Sequence, residues 1–170
     1  MQGQGPQSHT VAIEINNNFC SSCTVCRSVC PFEAIFKEES TGEIKIDIEK
    51  CQVCGLCSSA CPAEAIDIVY YDDDSLVSYT KKLMKQKGSK TLVLTCRGNS
   101  PTPCEIVGML KEKGIGSFVS LRLPCVGRVS SEFLLRTLAQ GANRIVVIQC
   151  EEGFCRFKKG SEVNTNRLIL

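Results

Sequence analysis

Histidine is nearly missing: His9 is the single imidazole in 170 residues, and it lies in a polar tail where water is its natural partner. No other residue pattern shows an activated nucleophile beside a base or an open metal position, so no chemistry on a substrate is expected of the chain. No G-x-G-x-x-G follows a strand, and KGIGSF falls short of that pattern, which leaves no nucleotide or flavin site. Charge of one sign is also lacking. The 20 basic and 18 acidic side chains nearly cancel and no basic block occurs, which excludes a nucleic-acid stripe and a membrane-surface patch. No run approaches the ~20 apolar residues of a membrane span. The segment MQGQGPQSHT lacks the basic start and apolar stretch of a signal peptide, so a cytoplasmic setting is expected.

Cysteine, by contrast, is abundant. Thirteen cysteines in a reducing compartment point to metal ligation or redox chemistry rather than to disulfides. Three sets of four would leave one over.

Two segments superimpose at an offset of 31 residues, CSSCTVCRSVCPFEAI from Cys20 and CQVCGLCSSACPAEAI from Cys51. Each follows an alternating apolar stretch, VAIEI at 11–15 and EIKI at 43–46, that reads as a short strand. Each repeat is therefore expected to run strand, ligand loop, short helix and second strand, ending in IDIVYY. C-x2-C-x2-C-x3-C-P occurs in both. Such spacing lets one tight loop supply three thiolates of a [4Fe-4S] cubane, while the prolyl-flanked fourth reaches the other cluster. Cys20, Cys23, Cys26 and Cys61 are the expected ligands of one cluster, and Cys51, Cys54, Cys57 and Cys30 of the other. Zinc favours C-x2-C pairs but has no use for the third cysteine or the prolyl fourth.

After the acidic run Asp72 to Asp74, SLVSYTKKLMKQKG has acids leading, lysines trailing and Gly88 closing, which predicts a connecting helix of about 75–87. Strand and helix then alternate. KTLVLTC (90–96), SFVSLRLPC (117–125) and RIVVIQC (144–150) read as buried strands, each ending in a cysteine. Between them lie CEIVGMLKEKG and SSEFLLRTLAQG, amphipathic and stopped by glycine, as parallel βαβ crossovers require. Cys96, Cys125 and Cys150 are thus delivered to one sheet edge, where open parallel sheets hold ligands. Cys155 follows in the next loop. Thr102-Pro103-Cys104-Glu105 reads as a capping box with proline at the first helical position, which puts Cys104 in the first turn. Taken singly each cysteine is an ordinary small core residue, but repetition at equivalent strand ends favours ligation, and four suffice for a further cluster. Arg97, Arg128 and Arg156 each stand within three residues of one of these cysteines, and each is either a counter-charge to a cluster or an ordinary solvated arginine.

The first half, over about 10–71, resembles the two-cluster bacterial ferredoxins, which implies a duplicated α+β fold with clusters close enough for electron hopping. The second half, through TCRGNSPTPC, LPCVGRVSSEFLLRTLAQGANRIVVIQC and EEGFCRFKKGS, resembles the delta subunit of methyl-viologen-reducing hydrogenase. That resemblance implies a [2Fe-2S] cluster on a small α/β domain with a parallel sheet. It also implies a relay of single electrons toward a flavin-bearing heterodisulfide-reductase-A-like core, with hydrogenase-like or formate-dehydrogenase-like subunits as further partners, in an anaerobic complex. Departures from that family include Asn99 and Cys104 in place of a second cysteine at x2 spacing, and Arg156 and Phe157 where the family favours histidine and tyrosine. The family's domain continues beyond NRLIL, so a partner is expected to cover the sheet's flank.

The expected organisation is a two-[4Fe-4S] domain over 10–72, a linker helix over 73–89 and a cluster-bearing α/β domain over 90–170. Two rival readings of the five late cysteines are a thiol-disulfide enzyme fed by the first domain and a redox-sensing interaction module.

Overall fold

The computed structural model describes residues 12–69, 71–151 and 153–168; His9 lies outside them. The first half consists of β1 (Ile13–Ile15), α1 (Val25–Val29), β2 (Ile35–Lys37), β3 (Ile44–Ile46), α2 (Leu56–Ala60) and β4 (Ile66–Ile68). The pairing crosses the repeats. β1 runs antiparallel to β4, with Ile13 opposite Ile68, and β2 antiparallel to β3, with Ile35 opposite Ile46. Period-two alternation turns Ile13, Ile35, Ile44, Ile66 and Ile68 inward, where they pack on Cys26 and Cys57.

Helices of five residues are far too short to hold themselves, so loop geometry must fix them. Left-handed backbone recurs at Ser22 and Val53, at Thr24 and Gly55, and at Glu33 and Glu64. All three pairs keep the offset of the cysteine repeat. For β-branched Val53 this conformation costs of order 1–3 kcal/mol, strain that clusters at functional sites. Both helices stop at a cysteine before proline: ring crowding drives Cys30 (ψ 112°) and Cys61 (ψ 113°) into extended backbone.

The second half begins with α3 (Asp73–Lys87), capped by Asp72, whose carboxylate accepts the Ser75 amide, and closed by Gly88 in the left-handed region. There follow β5 (Thr91–Cys96), α4 (Pro103–Glu112), β6 (Val119–Leu123), a 3-10 turn (Val126–Arg128), α5 (Ser131–Ala139), β7 (Arg144–Ile148) and α6 (Gly160–Leu168). The sheet is parallel, in the order β6-β5-β7. Chain order therefore reverses direction at β5, and the carboxyl end of β5 is a topological switch point. Leu92, Leu94 and Cys96 face α3 and α5, where Leu76, Met84 and Phe133 join them; Val93 faces Ile106 and Leu110 of α4. Each fully covered Leu or Phe here is worth about 1.5–3 kcal/mol over an exposed one.

The strands end sooner than the apolar runs imply. Cys96 is the last residue of β5, but Cys125 and Cys150 lie two residues beyond β6 and β7. Proline at 124 cannot donate to the sheet, which ends β6. α6 is the element that hydrophobic periodicity misses, because the residues it buries are Gly160, Ser161 and Asn164.

The halves meet where α2, the 3-10 turn and α6 pack together. Ser59 Oγ donates to the Gly127 carbonyl at 2.9 Å, and Arg167 reaches the Gly127 carbonyl at 3.1 Å and Ser59 Oγ at 3.1 Å. A Cβ at Gly127 would stand 2.6 Å from both Leu56 Cδ2 and the Gly160 carbonyl, so only glycine permits this approach.

Candidate functional site

The thirteen cysteines are all free thiols. Twelve gather in three groups. Cys20, Cys23, Cys26 and Cys61 line one small cavity together with Ile44 and Ile66. Cys30, Cys51, Cys54 and Cys57 line a second with Ile13, Ile35 and Leu56. The two are alike, each of about 10 Å³. Cys30 is thus turned toward the loop of the second repeat and Cys61 toward that of the first. Their extended, pre-proline backbone produces the exchange.

Burial pushes the Cys26 thiol up, and neighbouring Cys61, Cys20 and Cys23 add to the rise. Cys57 is pushed up to about 12, mainly by burial and then by Cys54, Cys51 and Cys30. Four sulfurs crowded in an apolar cavity cannot all ionise unless cations take the place of their protons. Backbone amides already address the sulfurs, as at Ala65, whose N–H donates to Cys61 Sγ at 3.3 Å.

The third group sits at the switch point. Cys96 is hydrogen-bonded by the thiols of both Cys125 and Cys150, and Cys155 lies close enough to repel a charge on either of those two. Val126 N–H donates to Cys96 Sγ at 3.3 Å and Gly127 N–H to Cys125 Sγ at 3.4 Å. The bond from Cys125 lowers the Cys96 thiol to about 6 and raises Cys125 in turn, while burial lifts Cys150 to about 11. Two glycines form the cradle. A Cβ at Gly160 would stand 2.4 Å from Cys125 Sγ and 3.2 Å from Cys155 Sγ, and one at Gly98 would stand 3.4 Å from Cys150 Sγ.

Cys104 is exposed on the first turn of α4, where Thr102 and Glu105 form the expected capping box, and it makes none of the sulfur contacts that join the other four. Of the three arginines, Arg97 and Arg156 are exposed, whereas Arg128 is buried and its Nη1 has no hydrogen-bond partner. The sequence marks Arg128 only as one of three near a cysteine; the glycine before it is the sole local hint of close packing.

Among the described residues, no group of three or more His, Cys, Asp or Glu closes around a point as ligands of a single metal ion do. In a [4Fe-4S] core each thiolate holds a different iron, and in a [2Fe-2S] core only two share each iron, so four such ligands do not close around one point. The donor sets fit such cores: all sulfur, apolar-walled, addressed by backbone amides, and in the third group cradled by Gly160, where a methyl group would collide with Cys125 Sγ.

Grouped sulfurs of this kind, on a repeat and at the switch point of a parallel sheet, define an iron-sulfur protein. Residues 19–65 match the 4Fe-4S dicluster domain, and residues 91–169 match the family described as methyl-viologen-reducing hydrogenase, delta subunit. The two matches follow one another along the chain in that order. It is 29 % identical over 68 residues to an iron-sulfur subunit of the F420-non-reducing hydrogenase of Archaeoglobus profundus. The alignment covers 40 % of this chain and 50 % of that protein, so the chain spans about half the length of this relative. The dicluster match supports [4Fe-4S] clusters in the first half. No helix among the described residues is long and apolar enough to cross a membrane.

Proposed function

We propose that the chain is a single-electron relay inside an anaerobic, multi-subunit oxidoreductase of the heterodisulfide reductase or hydrogenase kind, working in the cytoplasm. A duplicated ferredoxin-like unit (10–72) binds two [4Fe-4S] clusters, one on Cys20, Cys23, Cys26 and Cys61, the other on Cys30, Cys51, Cys54 and Cys57. A helix (73–89) joins it to an α/β unit (90–170) whose Cys96, Cys125, Cys150 and Cys155 bind a [2Fe-2S] cluster. Cys104 is the spare thiol. When bound, such clusters supply reversible one-electron oxidation and reduction. The protein's part is to keep them dry, spaced and electrostatically tuned. Isoleucines pack against the first two groups, and backbone amides at Ala65, Val126 and Gly127 donate to sulfur. Flavin-bearing heterodisulfide-reductase-A-like, hydrogenase-like or formate-dehydrogenase-like subunits are the proposed neighbours.

One observation carries this reading: Cys54 of the second group and Cys125 of the third belong to one packed cluster with Leu56 and Phe157. A relay needs its stops adjacent, and this packing supports such an arrangement. The same packing speaks against a thiol-disulfide enzyme, because Cys96, Cys125 and Cys150 are 2 %, 1 % and 4 % exposed and offer no thiolate to a bulky disulfide. Iron and acid-labile sulfide on anaerobically purified protein test the proposal. About ten irons per chain are expected, four in each cubane and two in the third centre. About eight, with Cys96, Cys125, Cys150 and Cys155 open to alkylation after denaturation without reductant, would confine the clusters to the first half.

A further inference from the structure

Arg128 closes the 3-10 turn three residues after Cys125 and is 5 % exposed. Its guanidinium carbon lies 4.7 Å over the Tyr71 ring centroid, and Nη2 donates to the Tyr71 carbonyl at 2.8 Å. The side chain lies flat on Gly55, the residue after Cys54. A Cβ at Gly55 would stand 2.7 Å from Arg128 Cβ and 3.4 Å from Nε. Arg128 is thereby wedged between the second and third sulfur groups.

Its charge is met by no ion pair among the described residues. Nη1 is buried without a partner. The nearby carboxylate, Asp73, accepts from Ser130 Oγ and attracts the guanidinium without pairing with it. The groups that otherwise bear on the guanidinium electrostatically are the Tyr71 side chain and the thiols of Cys125 and Cys54. A buried cation left this way is costly unless an anion faces it. Thiolate-bound clusters on both sides, each carrying net negative charge, supply that anion.

We propose that Arg128 is the shared counter-cation of the second cubane and the C-terminal centre, a positioning residue that holds both reduction potentials up together. The proposal rests on the cluster reading above. Adding an electron to either centre makes it more negative, so a fixed cation in the dry junction favours reduction on both sides. The first cubane lies outside this junction. Arg97 and Arg156, in water, are screened and have no such effect.

The test is a redox titration followed by electron paramagnetic resonance on Arg128→Gln, Arg128→Lys and the natural protein, each with its iron counted. In Arg128→Gln the reduced-to-oxidised ratio at a fixed potential should fall tenfold or more at the second cubane and the C-terminal centre, a shift of about 59 mV per tenfold for one electron. The first cubane should not move, and Arg128→Lys should recover most of the shift. A purely structural residue would alter cluster content or stability without this pattern. Should Arg128→Gln fail to assemble, Tyr71→Leu loosens the guanidinium while leaving its charge, and a smaller fall at the same two centres is expected. Unmoved potentials, or equal shifts at all three centres, in protein with about ten irons overturn the role of Arg128 alone. About eight irons in the natural protein would overturn the third centre itself.

Discussion

Gly160 opens a helix, where alanine is ordinarily the better residue, yet here a methyl group would sit 2.4 Å from Cys125 Sγ. Gly160→Ala is therefore expected to remove the C-terminal centre and spare the cubanes, with iron falling from about ten to about eight per chain. Full iron in that variant would show that Cys125 does not hold the position assigned to it. At this scale the sequence is most legible in the first eight cysteines, because their spacing is local and a tight loop converts it directly into geometry. Left-handed Ser22 and Val53, or Thr24 and Gly55, follow from the same wrapping of the loop around its centre. Arg128 and Gly160 were opaque by comparison. An arginine beside a cysteine reads the same whether it is solvated, like Arg97, or buried, and only the approach of Gly55 and Tyr71 from the other half decides which.

Caps and prolines are the elements' most readable signals. Asp72 caps α3, Thr102 and Glu105 box the start of α4, and Ser130 caps α5, all by side chains that accept the orphan amides of a first turn. Asp72→Ala should cost about 1 kcal/mol of stability, while Asp72→Asn keeps most of the bond. Burial alone would push the Asp72 carboxyl up, but the Ser75 amide and hydroxyl outweigh it and hold the group below its usual value. A depressed carboxylate contributes its full stability above the unfolded value of about 3.9 and loses it only as pH falls through the lower folded one. Anaerobic denaturation of Asp72→Ala against the natural protein should thus show the same deficit at every pH from about 5 to about 8; a deficit that fades toward pH 5 would contradict the assignment. Helices α3, α4 and α5 were legible because apolar period and caps agree. Strand ends were not, since the apolar runs continue into Cys125 and Cys150 after the ladder has stopped, and α6 escaped because it buries small and polar residues.

At the scale of the molecule, the three sulfur groups lie in series: the first reaches the surface at exposed Cys23, with exposed Phe19 adjoining Cys20; the second lies beneath the junction; the third comes out at half-exposed Cys155, beside exposed Phe154. The proposed relay thus has two open ends and a closed middle. That the late cysteines would meet at one sheet edge was readable from three apolar runs of like ending. How the halves would dock was not, because it depends on complementarity between distant residues: Leu56 and Ser59 against Gly127, Phe32 edge-on to Phe157 at 6.3 Å, and Arg167 across the seam. Electron paramagnetic resonance on the intact chain, poised at a series of potentials, tests the relay most directly. Three one-electron centres are expected, two of cubane type and one [2Fe-2S]. Signals from the two cubanes alone, in protein that retains all thirteen cysteines, would contradict the relay of three stops.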